Sequence, residues 1–259
     1  MKLDGKVAIV TGSGQGIGRE IALAYAEQGA DIIVAEHNVS TMEAVAREIS
    51  ALGRKVLAVT TDVTDEEMVK RMVDHTIREF GRIDILVNNA GGPLEFHLRP
   101  VWEVPLKEWQ TVIAVNLTGT FLCSSVVIPQ MIKQRSGIII NISSGQGRRG
   151  TKGYGAYSSA KFAVEGLTQV LAIELTPYNV RVNALRPGGV TATPIILRKT
   201  DIANSMPTLA RPDIVRPLAL FLASDDSAGI TGQSIDCREW NPAHGFGDFS
   251  QYLYSSGRS

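Results

Sequence analysis

Residues 6–36 restrict the possible folds most. They begin with a β-branched apolar run, KVAIV, over residues 6–10, which leads directly into Thr11-Gly12-Ser13-Gly14-Gln15-Gly16-Ile17-Gly18. Residues 19–28 have amphipathic helical spacing and stop at Gly29, a natural C-cap. Residues 31–35 (DIIVA) form a second buried-type strand, closed by Glu36. Strand, glycine loop, helix, strand and acid within about 30 residues make a complete βαβ unit. Such a unit belongs to an open α/β sheet, in which ligands sit at the carboxyl ends of the strands.

The loop suits a pyrophosphate. Gly12, Ser13 and Gly16 are small enough for the backbone to approach closely. The helix start at Gly16, Ile17 and Gly18 offers free N–H groups and a positive dipole end. A plain tight turn into a helix is the alternative, and the flanking strand, helix and acid weigh against it. Glu36 falls where an adenosine ribose would lie. A carboxylate there accepts bonds from the ribose hydroxyls and repels a 2′-phosphate. His37 follows it rather than Arg or Lys, and Gln15 is uncharged. These residues favour NAD over NADP. Arg19 is the cation that argues otherwise, unless it points along its helix.

Further elements follow in order. Helices are expected over residues 41–52, 65–80, 106–125, 156–174 and 213–223. Strands are expected over 56–59, 83–87, 137–142, 180–185 and 232–236. Asp62 and Val63 come after the third strand, where an adenine would rest, although Asp62 can equally be a loop residue bonded to backbone. Asn88, Asn89, Ala90 and Gly91 follow the fourth strand. Asn116 lies amid apolar neighbours in its helix, where it packs, bends the helix or holds a water. Residues 93–102 lose the pattern and contain Glu95, His97 and Arg99, each readable as pocket lining or as solvated loop. Residues 193–206 are polar and helical at best. No internal repeat or Pro/Gly/Ser linker divides the chain, so residues 1–236 read as one domain and 237–259 as its C-terminal tail.

Ser143 and Ser144 end the fifth strand, and Tyr157 and Lys161 begin the helix after it. Residues four apart share a helix face. A neighbouring ammonium favours the phenolate and lowers a tyrosine's pKa from about 10, which suits acid–base work near neutrality. Ser144 can supply a hydroxyl to the same reacting oxygen. By itself, Tyr and Lys at this spacing is an ordinary helical pair.

Composition excludes several classes. Apolar residues make up 44% and charged residues 20% of the 259, and the formal net charge is zero. Nothing attracts nucleic acid or an anionic membrane. The two cysteines, Cys123 and Cys237, are far apart, with no metal-ligand spacing. That usage fits a reducing cytoplasm. The apolar run in MKLDGKVAIVTG is too short for a signal peptide, and no uninterrupted apolar run of about 18 residues suggests a membrane span.

Taken together, the chain resembles the classical short-chain dehydrogenase/reductase family over residues 2–236. The resemblance rests on TGSGQGIG at 11–18, DV at 62–63, NNAG at 88–91, Asn116, Ser144, YxxxK at 157–161 and PG at 187–188. It implies an α/β fold, a single doubly wound Rossmann domain with a mostly seven-stranded parallel sheet. Tyr157 would be the acid/base, Lys161 would lower its pKa and bond the nicotinamide ribose, and Ser144 would orient the substrate oxygen. Asn116 would hold a water in a proton relay. Asn88, Asn89, Ala90 and Gly91 would position nucleotide and sheet. Pro187, Gly188, Val190 and Thr193 would wrap the nicotinamide. The family commonly forms homotetramers or homodimers, here through Leu106–Gln134 and residues 156–176.

Three departures stand out. Ala192 occupies the usual threonine position, with Thr191 and Thr193 on either side, and Thr193 is favoured for the contact. The stretch from Thr193 to Arg211 is short for a substrate lid. The tail beyond residue 236 either covers a neighbouring subunit's site or packs on its own domain.

The expected reaction is hydride transfer between NAD(H) and a secondary alcohol or ketone, with a small-molecule substrate of polyol, sugar-like or small cyclic type. Gln146 and Tyr154 would line the pocket with His97, while Arg99, Arg148 and Arg186 are possible anion or hydroxyl contacts. An NADPH-dependent 3-oxoacyl-(acyl-carrier-protein) reductase is the alternative enzyme. Glu36 and the absence of a net basic charge oppose it. A non-catalytic nucleotide sensor is the alternative outside catalysis, opposed by the four filled catalytic positions.

Overall fold

All five residues of β1 (Val7–Thr11) are buried, as a central strand covered on both faces must be. It pairs in parallel with β2 (Asp31–Glu36) on one side and β4 (Ile85–Asn88) on the other. The chain runs outward from β1 through β2 to β3 (Val56–Thr60), then crosses back to β4, β5 (Gly137–Ile142), β6 (Val180–Arg186) and β7 (Ser234–Asp236). The order is β3-β2-β1-β4-β5-β6-β7, parallel throughout. The reversal of strand order between β1 and β4 opens a crevice at their carboxyl ends. This is the expected single doubly wound α/β domain. The computed structural model describes residues 1–92, 98–198 and 208–255.

Strand alternation divides the core in two. Ala8, Val10, Ile32 and Val34 face α1 (Gly16–Glu27) and α2 (Val39–Ala51), while Ile9, Ile33, Leu86 and Ile139 face the other layer. That layer holds α3 (Glu66–Phe80), α4 (Leu106–Ile113), α5 (Gly119–Gln134) and α6 (Gly155–Leu175). Helix ends follow local chemistry. Asp65, expected as the first helical residue of α3, is instead its N-cap and accepts the Met68 N–H at 3.0 Å.

The helix expected over 106–125 runs on to Gln134 and is broken into α4 and α5 by a π turn at Ala114–Thr118. Such insertions often mark functional sites. By length and composition Leu106–Gln134 can cross a membrane, yet Cys123, Val127 and Met131 are at most 1% exposed in the core.

A short α7 (Pro194–Leu197) is the described part of the polar stretch that follows β6, and residues 199–206 lie outside the described residues. The helix expected over 213–223 is a 3-10 turn, Pro212–Val215, followed by α8 (Arg216–Ala223), with Pro217 tolerated in its first turn. The last strand is shorter than expected, three residues rather than five.

Beyond it the tail forms α9 (Cys237–Ala243) and packs on its own chain. Cys237 is fully buried, the Asn241 amide donates to the Ile214 carbonyl at 2.9 Å, and Trp240, Phe249 and Tyr252 lie against the α1-side core.

Candidate active site

The sheet places every catalytic candidate at its carboxyl edge. Alternation at the end of β5 sends neighbouring serines opposite ways. Ser143 is buried, and its hydroxyl donates to Glu165 at 2.5 Å. Ser144 lies at the strand's carboxyl end, where its Oγ accepts the Gln146 N–H at 3.2 Å and the hydroxyl is near enough to the Tyr157 phenol to lower its pKa. Lys161, one turn further along α6, is 4% exposed. Its ammonium donates to the Ile142 carbonyl at 2.8 Å and lies 5.6 Å from the centre of the Tyr157 ring. Ser144, Tyr157 and Lys161 are thus assembled as the spacing requires.

The electrostatics at Tyr157 are dominated by desolvation. Burial pushes its phenol up to about 12, while the Ser144 hydrogen bond pulls down and Tyr154 pushes up. Burial lowers Lys161 to about 8, opposed by the negative charge of Glu165. Lys161 is buried and Tyr157 half-buried, and for each of them desolvation is the largest cause of the shift.

Glu165 was not anticipated. It is 5% exposed and accepts hydroxyls from Ser143 at 2.5 Å and Ser234 at 2.9 Å. The sequence signal was its position four residues after Lys161.

Asn116 is fully buried at the centre of the π turn. Its amide donates to the Gly92 and Val112 carbonyls, each at 3.0 Å, and accepts the Gly92 N–H at 2.9 Å. The side chain therefore clamps the loop after β4 as well as distorting its helix. Behind this loop, Asn88 donates to Ser124 at 2.9 Å and Asn141 at 2.8 Å, and Asn141 donates to Thr168 at 2.9 Å. These buried amides tie β4, β5, α5 and α6 together.

The glycine loop is locked onto the same loop. Thr11 Oγ1 accepts the N–H groups of Asn89 and Ala90 at 3.0 and 3.1 Å. The Asn89 amide donates to the Thr11 and Gly12 carbonyls at 2.9 and 3.0 Å. The buried Ser13 hydroxyl donates to Val10 at 2.7 Å. Gly18 must lack a side chain, because a Cβ there would lie 2.3 Å from the Gly12 carbonyl oxygen. Gln15 caps α1 without a side-chain hydrogen bond, and no acid occupies the first turn. Thr193 lies across from this helix end, since a Cβ on Gly16 would be 2.9 Å from its methyl. Thr191 instead is buried and bridged to Ala210.

Glu36 is 4% exposed at the end of β2. One oxygen accepts the Gly14 N–H at 3.0 Å, and the other accepts those of His37 and Asn38 at 2.9 and 3.2 Å. Arg19 is engaged elsewhere, paired with Glu20 and with Glu48 of α2. The donor set fits a dinucleotide. Free amides of the helix end face a loop without acids, a carboxylate lies at the ribose position, and the nearby cation is already neutralised. Asp62 is exposed and caps Thr64 through its N–H at 2.9 Å, with Val63 buried beside it.

Substrate-side candidates divide. Gln146 is partly buried and accepts the Ser158 hydroxyl at 3.3 Å. Tyr154 is packed with Val112, Ala156 and Trp109, its ring 6.4 Å from that of Tyr157. Arg186 is not open to a ligand as expected, since it pairs with Asp236 at 2.9 Å. Arg99 lies 3.4 Å from Glu108. Arg148 is exposed. His97 lies outside the described residues. An open groove of about 260 Å³ at the start of α6 is lined by Val101, Trp102, Lys152 and Gly155, among others.

Comparison with known proteins agrees with this geometry. The short chain dehydrogenase family profile matches residues 6–201. The chain is 37% identical to the 3-oxoacyl-(acyl-carrier-protein) reductase of Thermotoga maritima over 241 residues, 91% of this chain and 97% of that one. It superposes on an NAD-bound xylitol dehydrogenase with a TM-score of 0.83 at 32% identity, covering 91% of this chain and 98% of that one. Levodione reductase gives 0.84 at 29% identity, covering 90% and 96%. With the family profile over residues 6–201 and close fold similarity to solved members in agreement, the chain belongs to the short-chain dehydrogenase/reductase family of oxidoreductases.

Proposed function

We propose that this protein is an NAD-dependent oxidoreductase that interconverts a secondary alcohol and its ketone, the substrate being a polyol, a sugar-like molecule or a small cyclic alcohol. The observation that carries this reading is the convergence of Ser144, Tyr157 and Lys161 at the sheet's carboxyl edge, with Ser144 near enough to pull down the Tyr157 pKa and Lys161 buried one turn beyond.

Gly12, Ser13, Gly16, Ile17 and Gly18 would hold the pyrophosphate, Glu36 the adenosine ribose, and Asp62 and Val63 the adenine. Asn89, Ala90 and Gly91 would border the nucleotide, and Pro187, Gly188, Val190 and Thr193 the nicotinamide. Bound there, the cofactor supplies a hydride donor or acceptor at the nicotinamide C4. Ser144 holds the substrate oxygen by hydrogen bonding. Tyr157 gives that oxygen a proton during reduction and removes one during oxidation. Lys161 favours the phenolate by its charge, and Asn116 fixes the loop beside it. With its phenol raised to about 12, Tyr157 rests protonated at neutral pH, ready to act as the acid.

Similarity to the Thermotoga 3-oxoacyl reductase supports a second reading, an NADPH-dependent enzyme acting on carrier-bound ketones. The buried Glu36 carboxylate opposes a 2′-phosphate. Rates with NAD and NADP, measured in parallel across polyols and cyclic secondary alcohols, test the proposal. It expects turnover with NAD to exceed that with NADP, and Glu36→Ser to narrow the gap by about tenfold or more. Faster turnover with NADP would remove the argument from Glu36.

The proposal includes a homotetramer or homodimer. Phe121 on α5 and Phe162, Val170 and Ile173 on α6 are 46–75% exposed, a face that a second copy would cover. The buried free thiols of Cys123 and Cys237 suit a reducing cytoplasm.

A further inference from the structure

We propose that residues 249–254 of the C-terminal tail are a working part of the cofactor site, holding residues 187–193 in place for the nicotinamide end of the dinucleotide. This inference rests on the dinucleotide reading above and concerns residues that do not touch the cofactor. Phe249 and Tyr254 are positioning residues, acting through the segment between them and the site.

Two separate contacts carry the inference, one on each side of Val190. The first is at the turn after β6. Gly188 has a φ of 83° and lies so close to the start of α9 that a Cβ would be 2.5 Å from Asp236 Oδ1 and 2.7 Å from the Arg238 nitrogen. Only glycine is compatible with both the backbone angle and that approach. Next to it, Gly189 faces the Phe249 ring, which a Cβ would meet at 3.2 Å. The Arg238 guanidinium covers the same ring at 4.4 Å from its centre, an attractive placement for a cation. Phe249 is thus wedged between α9 and the turn.

The second contact is a pair of single-residue bridges sharing Ala210. Ala210 bridges Thr191 in parallel and Leu253 in antiparallel. On one side the Ala192 N–H donates to Ala210 at 2.8 Å, and the Ala210 N–H donates to Val190 at 2.9 Å. On the other, Arg211 donates to Tyr252 at 2.6 Å, and Tyr254 donates to Leu209 at 2.8 Å. The Tyr252 hydroxyl donates to Phe246 at 2.6 Å, closing the tail's own turn. Val190 and Ala192 are therefore bonded to Ala210, which the tail holds from its other side. A short pairing held from one side only is marginal in water.

The physical consequence is preorganisation. A segment that must be ordered to grip a ligand costs affinity when it is loose beforehand. Removing the tail's grip should weaken binding at the nicotinamide end and leave the adenine and pyrophosphate end intact.

The test uses the full chain without cofactor. Binding of NAD and of ADP-ribose, which lacks the nicotinamide, is measured by calorimetry alongside amide hydrogen exchange of residues 187–193. Phe249→Ala is expected to weaken NAD by about tenfold and ADP-ribose by less than about twofold, to accelerate exchange in 187–193, and to be rescued by Phe249→Tyr. Tyr254→Pro, which removes the N–H donor to Leu209, should act in the same direction. Tyr254→Ala, which keeps that donor, should not. Unchanged NAD binding and exchange in Phe249→Ala and Tyr254→Pro would overturn the inference, as would equal weakening of both ligands. If the unaltered chain bound neither ligand, the cofactor reading itself would fail and this inference with it.

Discussion

At Lys161 an ammonium sits in a site where water cannot solvate it, held by one backbone carbonyl and the charge of Glu165. Desolvation lowers its pKa from 10.5 to about 8. The unfolded chain therefore binds a proton between those values that the folded chain does not, and stability rises with pH across that window. The penalty is full below about 8 and corresponds to roughly 3 kcal/mol. Tyr157 acts in the opposite sense, because its raised pKa lowers stability between 10 and about 12. Denaturant unfolding at a series of pH values should show a rise from pH 8 towards 10, and Lys161→Met should abolish it. An unchanged rise in that variant would show that another group is responsible. Catalysis has a matching signature. Ketone reduction should decline as pH passes about 8, since loss of the lysine's charge removes the support of the phenolate that reduction leaves behind.

At the scale of single elements, the π turn is the least expected feature. One extra residue in a turn leaves the apolar periodicity of residues 106–134 almost unchanged, so the pattern reads as one helix. Asn116 was the visible clue, a buried amide requiring partners, but not which partners. The structure supplies Gly92 and Val112. Asn116→Leu should cost about 2–3 kcal/mol by leaving the Gly92 amide and carbonyl unpaired in the crevice, read as a shift in the denaturation midpoint. Turnover should fall further than NAD binding, because the loop after β4 borders the site. Strands β1, β2 and β5 were legible because short apolar runs rich in Val and Ile fit buried parallel strands. Helix α9 was not, because Trp240, Pro242 and the following glycines interrupt any amphipathic pattern. Thr193, favoured over Thr191 from the sequence, lies against Gly16, a proximity that no spacing rule contains. Glu165 shows the converse. Its spacing from Lys161 was readable, but its partners Ser143 and Ser234 come from two other strands.

The whole molecule brings the loops after β1 to β6 to one edge of the sheet and leaves an apolar face on α5 and α6. A chain that buries Cys123, Val127 and Met131 yet exposes Phe162 at 46% and Ile173 at 75% has more apolar surface on these helices than its own core uses. Ile173→Glu should shift the assembly to a smaller species by light scattering, with little change in the monomer's fold. An unchanged mass would place the interface elsewhere.

In the proposed reaction a hydride passes to NAD at this sheet edge while Tyr157 moves the proton. A secondary alcohol selected from the turnover panel and carrying deuterium on its carbinol carbon follows both. The label should appear at C4 of NADH in equal amount to ketone formed, and Tyr157→Phe should lower this transfer by about a thousandfold or more while NAD still binds. Deuterium lost to solvent, or transfer that persists in Tyr157→Phe, would contradict it.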